Sequence, residues 1–583
     1  MSHSELSASG AAEVAPLAEN ESSGPAARRV RAAYALIEEL ERPEIWISLR
    51  SQADALMDAE RIDAAVARGE ELPLAGTVIA VKDNIDVAGF PTTAGCPAYA
   101  YEPETTAPAV ERLVAAGAVV LGKTNLDQFA TGLVGTRSPY GVVRNAAVAG
   151  LVAGGSSSGS AVAVALGIVD FGIGTDTAGS GRIPAAFNGV VGIKPTIGLV
   201  PTGGVVPASR SFDCVSVFAA SVAGAETALD VMVGAAPERA WPASVALGAP
   251  ADVAVAVPAG RLPGLSEDWA ELFELAIRRL EAGGAKIVPI EIEPFLEGAR
   301  LLYESALVAE RYAAVGPFVD ANPASVDPTV ASIIGEARGF AAHEFVRDVA
   351  QLEDARGRAM AVLSEADVLL LPTAPEHPTI EEVAADPVGV NRRLGRYASF
   401  ANLFDLTAVS VPAGDKHGYP FGVTVFARAF GERVAADVAR RIAGEPAAST
   451  QAIGAPGHAL MVIGAHLSGQ PLNRELTSRG ARLIAPVRTE QLYRMFALPT
   501  TPAKPGLQHV GAGGASVEGE LWLMPPAGLG SLLASLPEPM TLGRVSLDDG
   551  TQVTGFFCQA SATEGAADIS HYGGWRNYLG RES

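Results

Sequence analysis

The sequence predicts an α/β fold, a sheet covered by helices on both faces, followed by a second, β-rich domain. Three observations lead there. Between about residues 72 and 440, short Val/Ile-rich runs alternate with Ala-rich helical stretches, and strands apolar at nearly every position belong to sheets buried on both faces. The segment "GEPAASTQAIGAPGHA" (444–459) is small, polar and Gly/Pro-containing and reads as a linker. Beyond it, strand-like runs recur with few long helices between them. A chain of 583 residues with 48% hydrophobic content can bury several large cores.

Taken in order, residues 1–26 read as a flexible tail. They lack a basic stretch followed by an apolar one, so no signal peptide is expected. Residues 27–70 read as helical, from "ARRVRAAYALIEELERPEIWISL" to "SQADALMDAERIDAAVARG", which ends on a glycine stop. The runs "GTVIAVKD", "AGAVVLGKT", "GIVDFGIGTD", "NGVVGIKPT", "ADVAVAVP", "AKIVPIEI", "ADVLLLPT", "LTAVSVPAG" and "FGVTVFAR" read as strands of the first domain, residues 27–443. "LMVIGAHLSG", "ARLIAPVRT", "GELWLMP" and "TQVTGFFCQA" read as strands of the second, residues 460–583. The most apolar stretch, "AVAVALGIVDFGIG" (161–174), is interrupted by Asp170 and reads as core, not a membrane span.

Charge and cysteines narrow the function. A net charge of −22 disfavours phosphate backbones and anionic membrane surfaces, so neither nucleic acid nor membrane is an expected partner. Cys96, Cys214 and Cys558 are odd in number, far apart and without a CxxC. A disulfide framework and a metal site are not expected, and a reducing cytoplasm is.

Three segments of the first domain could carry chemistry. Lys82 ends the apolar strand "VIAVKD". Burial there would strip its proton and make it a base, whereas a surface position would pair it with Asp83. "AGGSSSGSAVAVALG" (153–167) leads glycines and serines into a helix, as either an orienting loop or a capped turn. It lacks the G-K-[ST] ending of a phosphate loop. In "GTDTAGSGRIPAAFNG" (174–189), Ser180 stands between Gly179 and Gly181. The amides of Thr177, Ala178, Gly179 and Ser180 could form an oxyanion hole, Asp176 and Arg182 could brace the turn, and Gly181 could leave room for a small substrate. Alone, the stretch also fits a Gly-rich loop before a helix.

Together these residues and their spacings resemble the amidase signature family over about residues 27–440. The resemblance implies the amidase signature fold and a triad of Lys82 as base, Ser156 as relay after a cis Gly155–Ser156 bond, and Ser180 as nucleophile. No cofactor is implied. The variant "TAGSGR" is similar to the allophanate hydrolase branch of that family. In that branch a Tyr and an Arg hold the substrate carboxylate, which here implies Tyr303 and Arg311, eight residues apart in "LLYESALVAERYAAV" on a predicted helix. An Arg311 paired with a nearby Glu on a solvated face is the alternative. Thr131 and Gly132 in "QFATGLVGT" are expected to line the pocket.

The tail agrees. "GAHLSGQPLNRELTSRGA" and "ADISHYGGWRNYL" resemble the C-terminal domain attached to allophanate hydrolases, with a γ-glutamyl cyclotransferase-like β-barrel fold. In that branch the domain is linked to decarboxylation of N-carboxycarbamate. His466 is the candidate residue there, with a structural strand-capping role as the alternative. The implied protein is a cytoplasmic homodimer acting on allophanate in urea or s-triazine nitrogen catabolism. An amidase of another small amide, a glutamine amidotransferase component and a non-enzymatic anion-binding scaffold stay open.

Overall fold

The computed structural model describes residues 24–235, 237–447 and 455–580, and of Tyr303 its backbone only. Residues 1–23 of the expected N-terminal tail and 448–454 of the expected linker lie outside these residues; the first helix begins at Pro25, inside the stretch 1–26 expected as tail.

Eleven strands form the first sheet. They are β1 (Trp46–Leu49), β2 (Thr77–Lys82), β3 (Ala118–Thr124), β4 (Phe171–Asp176), β5 (Val191–Lys194), β6 (Cys214–Ala219), β7 (Ala254–Pro258), β8 (Lys286–Ile290), β9 (Val368–Pro372), β10 (Thr407–Lys416) and β11 (Tyr419–Ala427). Their spatial order is β1-β3-β2-β4-β6-β5-β10-β11-β9-β7-β8, with parallel and antiparallel neighbours mixed. A mixed sheet is what the resemblance to the amidase signature family implies.

Alternation builds the two faces. Ile79 and Val81 of β2 join one hydrophobic core, while Val78 and Ala80 join the other. Successive side chains of a strand point to opposite sides, so a strand apolar throughout feeds both cores. The stretch 161–174 divides between the helix Ser158–Ala165 and β4, both buried.

Two strands of this sheet depart from the sequence reading. β1 lies inside the stretch read as helical, between the helices Pro25–Leu40 and Gln52–Ala67. Its four residues are too few to show a period of two, and Trp46, Ser48 and Leu49 pair with Thr124, Lys123 and Gly122 of β3 at the sheet edge. β6 has no counterpart among the expected strands. It pairs antiparallel with β4, from Phe171 against Ala219 to Asp176 against Cys214.

The parallel pair β2 and β4 positions the site. Ile79, Ala80 and Val81 stand beside Phe171, Gly172 and Ile173, so both strands run out at the same end of the sheet. Lys82 ends one and Asp176 the other. The start of β6 returns to that end because it is antiparallel to β4.

The C-terminal part is β-rich. β12 (His458–Val462), β13 (Arg482–Arg488), β16 (Glu518–Met524), β17 (Met540–Ser546) and β18 (Gln552–Cys558) make a five-stranded sheet, and β14 (Tyr493–Leu498), β15 (Lys504–His509) and β19 (Ala567–Asp568) a three-stranded one. They enclose their own core around Leu460, Tyr493, Trp522 and Trp575. Backbone bonds join the two parts, Leu247 N–H to the Gly480 carbonyl and Ala527 N–H to the Ala243 carbonyl, and the buried Arg482 guanidinium reaches Asp437. Among the described residues no helix is long and apolar enough to cross a membrane.

Candidate active site

Lys82 is fully buried, and its Nζ donates to Ser156 Oγ at 2.8 Å and to Thr175 Oγ1 at 2.7 Å. Asp83 turns away from it, taking Thr93 N–H and the ammonium of Lys123 at 3.2 Å. The surface Lys82–Asp83 pair is therefore not formed, because β2 carries Lys82 into the core. Burial pushes the Lys82 ammonium down to about 7, while the carboxylates of Asp127, Asp213 and Asp176 pull the other way. A lysine balanced there can take up or release a proton near neutrality.

The Gly/Ser run brings Ser156 to this lysine. The Gly155–Ser156 peptide bond is cis. A Cβ on Gly155 would stand 2.1 Å from Asp127 Oδ2 and 2.6 Å from the Gly135 nitrogen, so only glycine fits between the cis bond and that loop. Ser157 Oγ donates to the Thr175 carbonyl at 3.0 Å, tying the run to the end of β4.

Ser180 stands on the turn after β4. Its Oγ donates to the Thr175 carbonyl at 2.9 Å, and its own carbonyl accepts from Ser157 N–H at 3.3 Å. The turn is braced by a buried ion pair. Asp176 takes Arg182 Nε and Nη2, each at 2.9 Å, together with the amides of Gly179, Gly181 and Arg182. Burial alone would raise the Asp176 carboxyl, but the Arg182 charge reverses this and holds it below the ordinary range. The far side of the guanidinium donates to the Ala398 carbonyl and Asn402 Oδ1. Two glycines fit this brace. Gly179 has φ +113°, and a Cβ there would stand 2.7 Å from Ala398 Cβ. A Cβ on Gly181 would meet Ser216 Oγ at 2.8 Å and Asp176 Cβ at 3.1 Å. Gly181 therefore makes room for the brace and β6.

The four amides expected to face an oxyanion are not equivalent. The Gly179 N–H is engaged by Asp176 Oδ1 at 2.9 Å. Thr177, Ala178 and Ser180 keep the role open to them, and Ser399 Oγ holds the Ala178 carbonyl at 3.2 Å. Thr177 Oγ1 bonds Asp213 at 2.5 Å. Burial raises the Asp213 carboxyl to about 6, against Thr177, the Ser209 and Ala208 amides and the charge of Arg311.

Arg311 is buried and donates from Nη1 to Thr131 Oγ1 at 3.1 Å. The solvated helix face is thus overturned. So is the single helix: Tyr303 lies in Glu293–Glu304 and Arg311 in Ala309–Ala321, with an extended Ser305 and a short turn, Ala306–Val308, between. Ser305 Oγ accepts Leu307 N–H and Asp348 accepts Ala306 N–H, satisfying the broken helix ends. The Tyr303 side chain lies outside the described residues. Gly132 packs on Asp127, whose Oδ2 would be 2.4 Å from an added Cβ, so its contact is with the loop anchor.

Sequence reasoning missed Thr175, Asp127, Asp213 and Arg137. Thr175 was within reach, since it precedes Asp176 in the Ser180 stretch. Asp127 organises the 131–137 loop by accepting the amides of Val134, Gly135 and Arg137. Nothing in its local sequence announces that.

In the C-terminal part, His466 is nearly buried. Its Nε2 is 3.1 Å from Glu475 Oε2, and its ring stacks on Phe556 at 4.7 Å. Burial lowers its pKa and Glu475 opposes this. It borders a cavity of about 200 Å³ shared with Glu475, Lys504, Leu472, Met540 and Phe556.

Comparisons agree with this architecture. The amidase family model matches residues 28–434, and the allophanate hydrolase C-terminal domain matches 458–580. The Saccharomyces cerevisiae urea amidolyase is 40% identical over 570 residues, 92% of this chain but 31% of that protein. The chain thus spans about a third of the length of such relatives. The structure of Kluyveromyces lactis allophanate hydrolase superposes with a TM-score of 0.86 at 39% identity, covering 97% of this chain and 98% of that one. The mandelamide hydrolase of Pseudomonas putida is 32% identical over 408 residues, 64% of this chain and 79% of that protein.

Proposed function

The chain belongs to the amidase family and carries an allophanate hydrolase C-terminal domain, and on that premise we propose that it hydrolyses allophanate. The observation that carries this reading is the buried Lys82–Ser156 contact beside the braced Ser180 turn, within a chain of which 97% superposes on an allophanate hydrolase.

Ser180 Oγ attacks the terminal carbamoyl carbon of allophanate. Its proton passes to Ser156 and on to Lys82, which is neutral for part of the time because burial has lowered its pKa. The amides of Thr177, Ala178 and Ser180 hold the oxyanion. Lys82, through Ser156, returns the proton to the departing nitrogen, and ammonia leaves. The Ser180 ester then carries the N-carboxycarbamoyl group. Water, giving its proton to the same relay, splits that ester and releases N-carboxycarbamate. Arg311 and Tyr303 hold the substrate carboxylate and so choose an anionic amide; Thr131 and Gly132 shape the wall behind them.

Loss of carbon dioxide from N-carboxycarbamate, with uptake of a proton, gives carbamate, which breaks down to ammonia and a second carbon dioxide. The cavity at His466 supports a role for the C-terminal domain in that step, because a His–Glu pair with Lys504 nearby can receive a dianion and supply a proton. The place of the reaction is urea or s-triazine nitrogen catabolism. The proposal includes a cytoplasmic homodimer. Three buried, free cysteines are consistent with a reducing compartment, and light scattering reads the assembly.

The test is ammonia and carbon dioxide release from allophanate by the purified chain, beside biuret and malonamide. A preference for the uncharged amides would replace this reading with a general amidase.

A further inference from the structure

Arg137 is only 2% exposed, and its hydrogen bonds go to backbone carbonyls, Nη1 to Thr131 at 2.9 Å and Nη2 to Pro387 at 2.6 Å. Its Nε is buried with no partner. No carboxylate pairs with it among the described residues, although a buried charge ordinarily demands one. Thr131 is also where Arg311 docks, through Oγ1 at 3.1 Å. The two guanidiniums border one small cavity of about 40 Å³, with Asn391 on its wall and the exposed Glu336 and Arg392 at its rim. Around this cavity Arg137, Arg311 and Arg392 stand against one carboxylate, Glu336, a balance of charge that favours an anion.

The same contacts tie this corner to the Ser180 turn. Arg137 holds Pro387, and Asn391 Oδ1 accepts Leu133 N–H at 2.7 Å, so the helix Pro387–Leu394 is fastened to the 131–137 loop at two points. The chain then runs on to Ala398 and Ser399, which contact Arg182 and Ala178 of the turn.

We propose that Arg137 is a positioning residue for the anionic end of the substrate: it fixes Thr131, and through it Arg311, against the helix Pro387–Leu394, and adds its own buried charge to the carboxylate subsite. This rests on the reading of Arg311 as the carboxylate ligand. Because the effect is on charge, it separates from a purely structural role. Loss of Arg137 should weaken carboxylate-bearing amides and spare neutral ones of the same size.

The experiment is protection of Ser180 from a fluorophosphonate probe by malonamate, which bears a carboxylate, and by malonamide, which does not. Half-protection concentrations are compared for the wild type, Arg137→Gln and Arg137→Lys in the full chain. Normalising to the number of labelled serines removes unfolded molecules from the comparison. Arg137→Gln is expected to raise the malonamate concentration about tenfold or more and the malonamide concentration less than about twofold, the scale of one lost charged contact. Arg137→Lys, which keeps the charge, is expected to restore part of the difference. Equal weakening of both ligands, or of neither, would overturn the proposal. Wild-type turnover of allophanate is measured alongside. Its absence would reject the substrate reading and leave the malonamate comparison to decide on Arg137.

Discussion

Lys82 Nζ and Ser156 Oγ lie 2.8 Å apart where neither side chain meets solvent. A buried ammonium loses its proton early, here at about 7. The base form is the neutral one, so kcat/KM for allophanate should rise about tenfold per pH unit below 7 and level off above it. A profile flat between pH 5.5 and 8 would remove Lys82 from the proton path.

The same lysine makes a stability prediction. Its pKa is 10.5 in the unfolded chain and about 7 in the folded one. Below 7 both states hold the proton and the folded state bears the full cost of burying it. Between about 7 and 10.5 only the unfolded state holds it, so stability from this group rises with pH. Lys82→Met lacks the group. Urea unfolding at pH 6 and pH 9 should therefore show the wild type gaining on this variant as pH rises. A constant difference would mean that the buried lysine is not depressed.

The Asp176–Arg182 brace predicts a large loss on truncation. Arg182→Leu leaves a buried carboxylate with only amides to hold it, at a cost of about 3–5 kcal/mol. Arg182→Lys should fall between, because an ammonium cannot reproduce the two-nitrogen contact. Urea midpoints measure both. An Arg182→Leu loss below about 1 kcal/mol would mean that the turn is held by its backbone alone.

Arg311→Ala should raise KM for allophanate by about tenfold to a hundredfold, the worth of a charged hydrogen bond at about 1.5–3 kcal/mol, with a smaller effect on biuret. Initial rates on the two substrates decide it. Equal losses would assign Arg311 to packing.

His466→Ala in the full chain should leave the first ammonia unchanged and delay the first carbon dioxide. Time-resolved product analysis checks this. A matched delay in both products would place His466 in the stability of the domain and not in its chemistry.

Much of this was legible in the sequence where one local pattern served one local role. The apolar runs that end in Lys82 and in Asp176 became β2 and β4, and the Gly-Ser-Gly of the 174–189 stretch became the turn that carries Ser180. What was not legible depends on contacts far apart in the chain. Asp213 reaches Thr177 from 36 residues away, and Arg137 reaches Pro387 from 250. The helix break between Tyr303 and Arg311 depends on Asp348, 42 residues beyond Ala306. β1 escaped because four residues between two helices carry too short a period to read.

Ser180 is the proposed nucleophile of an allophanate-hydrolysing site. Ammonia release from allophanate by the wild type and by Ser180→Ala, with both proteins verified as folded, tests it most directly. Turnover by the wild type and a loss of at least about a thousandfold in the variant are expected. Turnover that survives the substitution, or a folded wild type that releases no ammonia from allophanate, would contradict it.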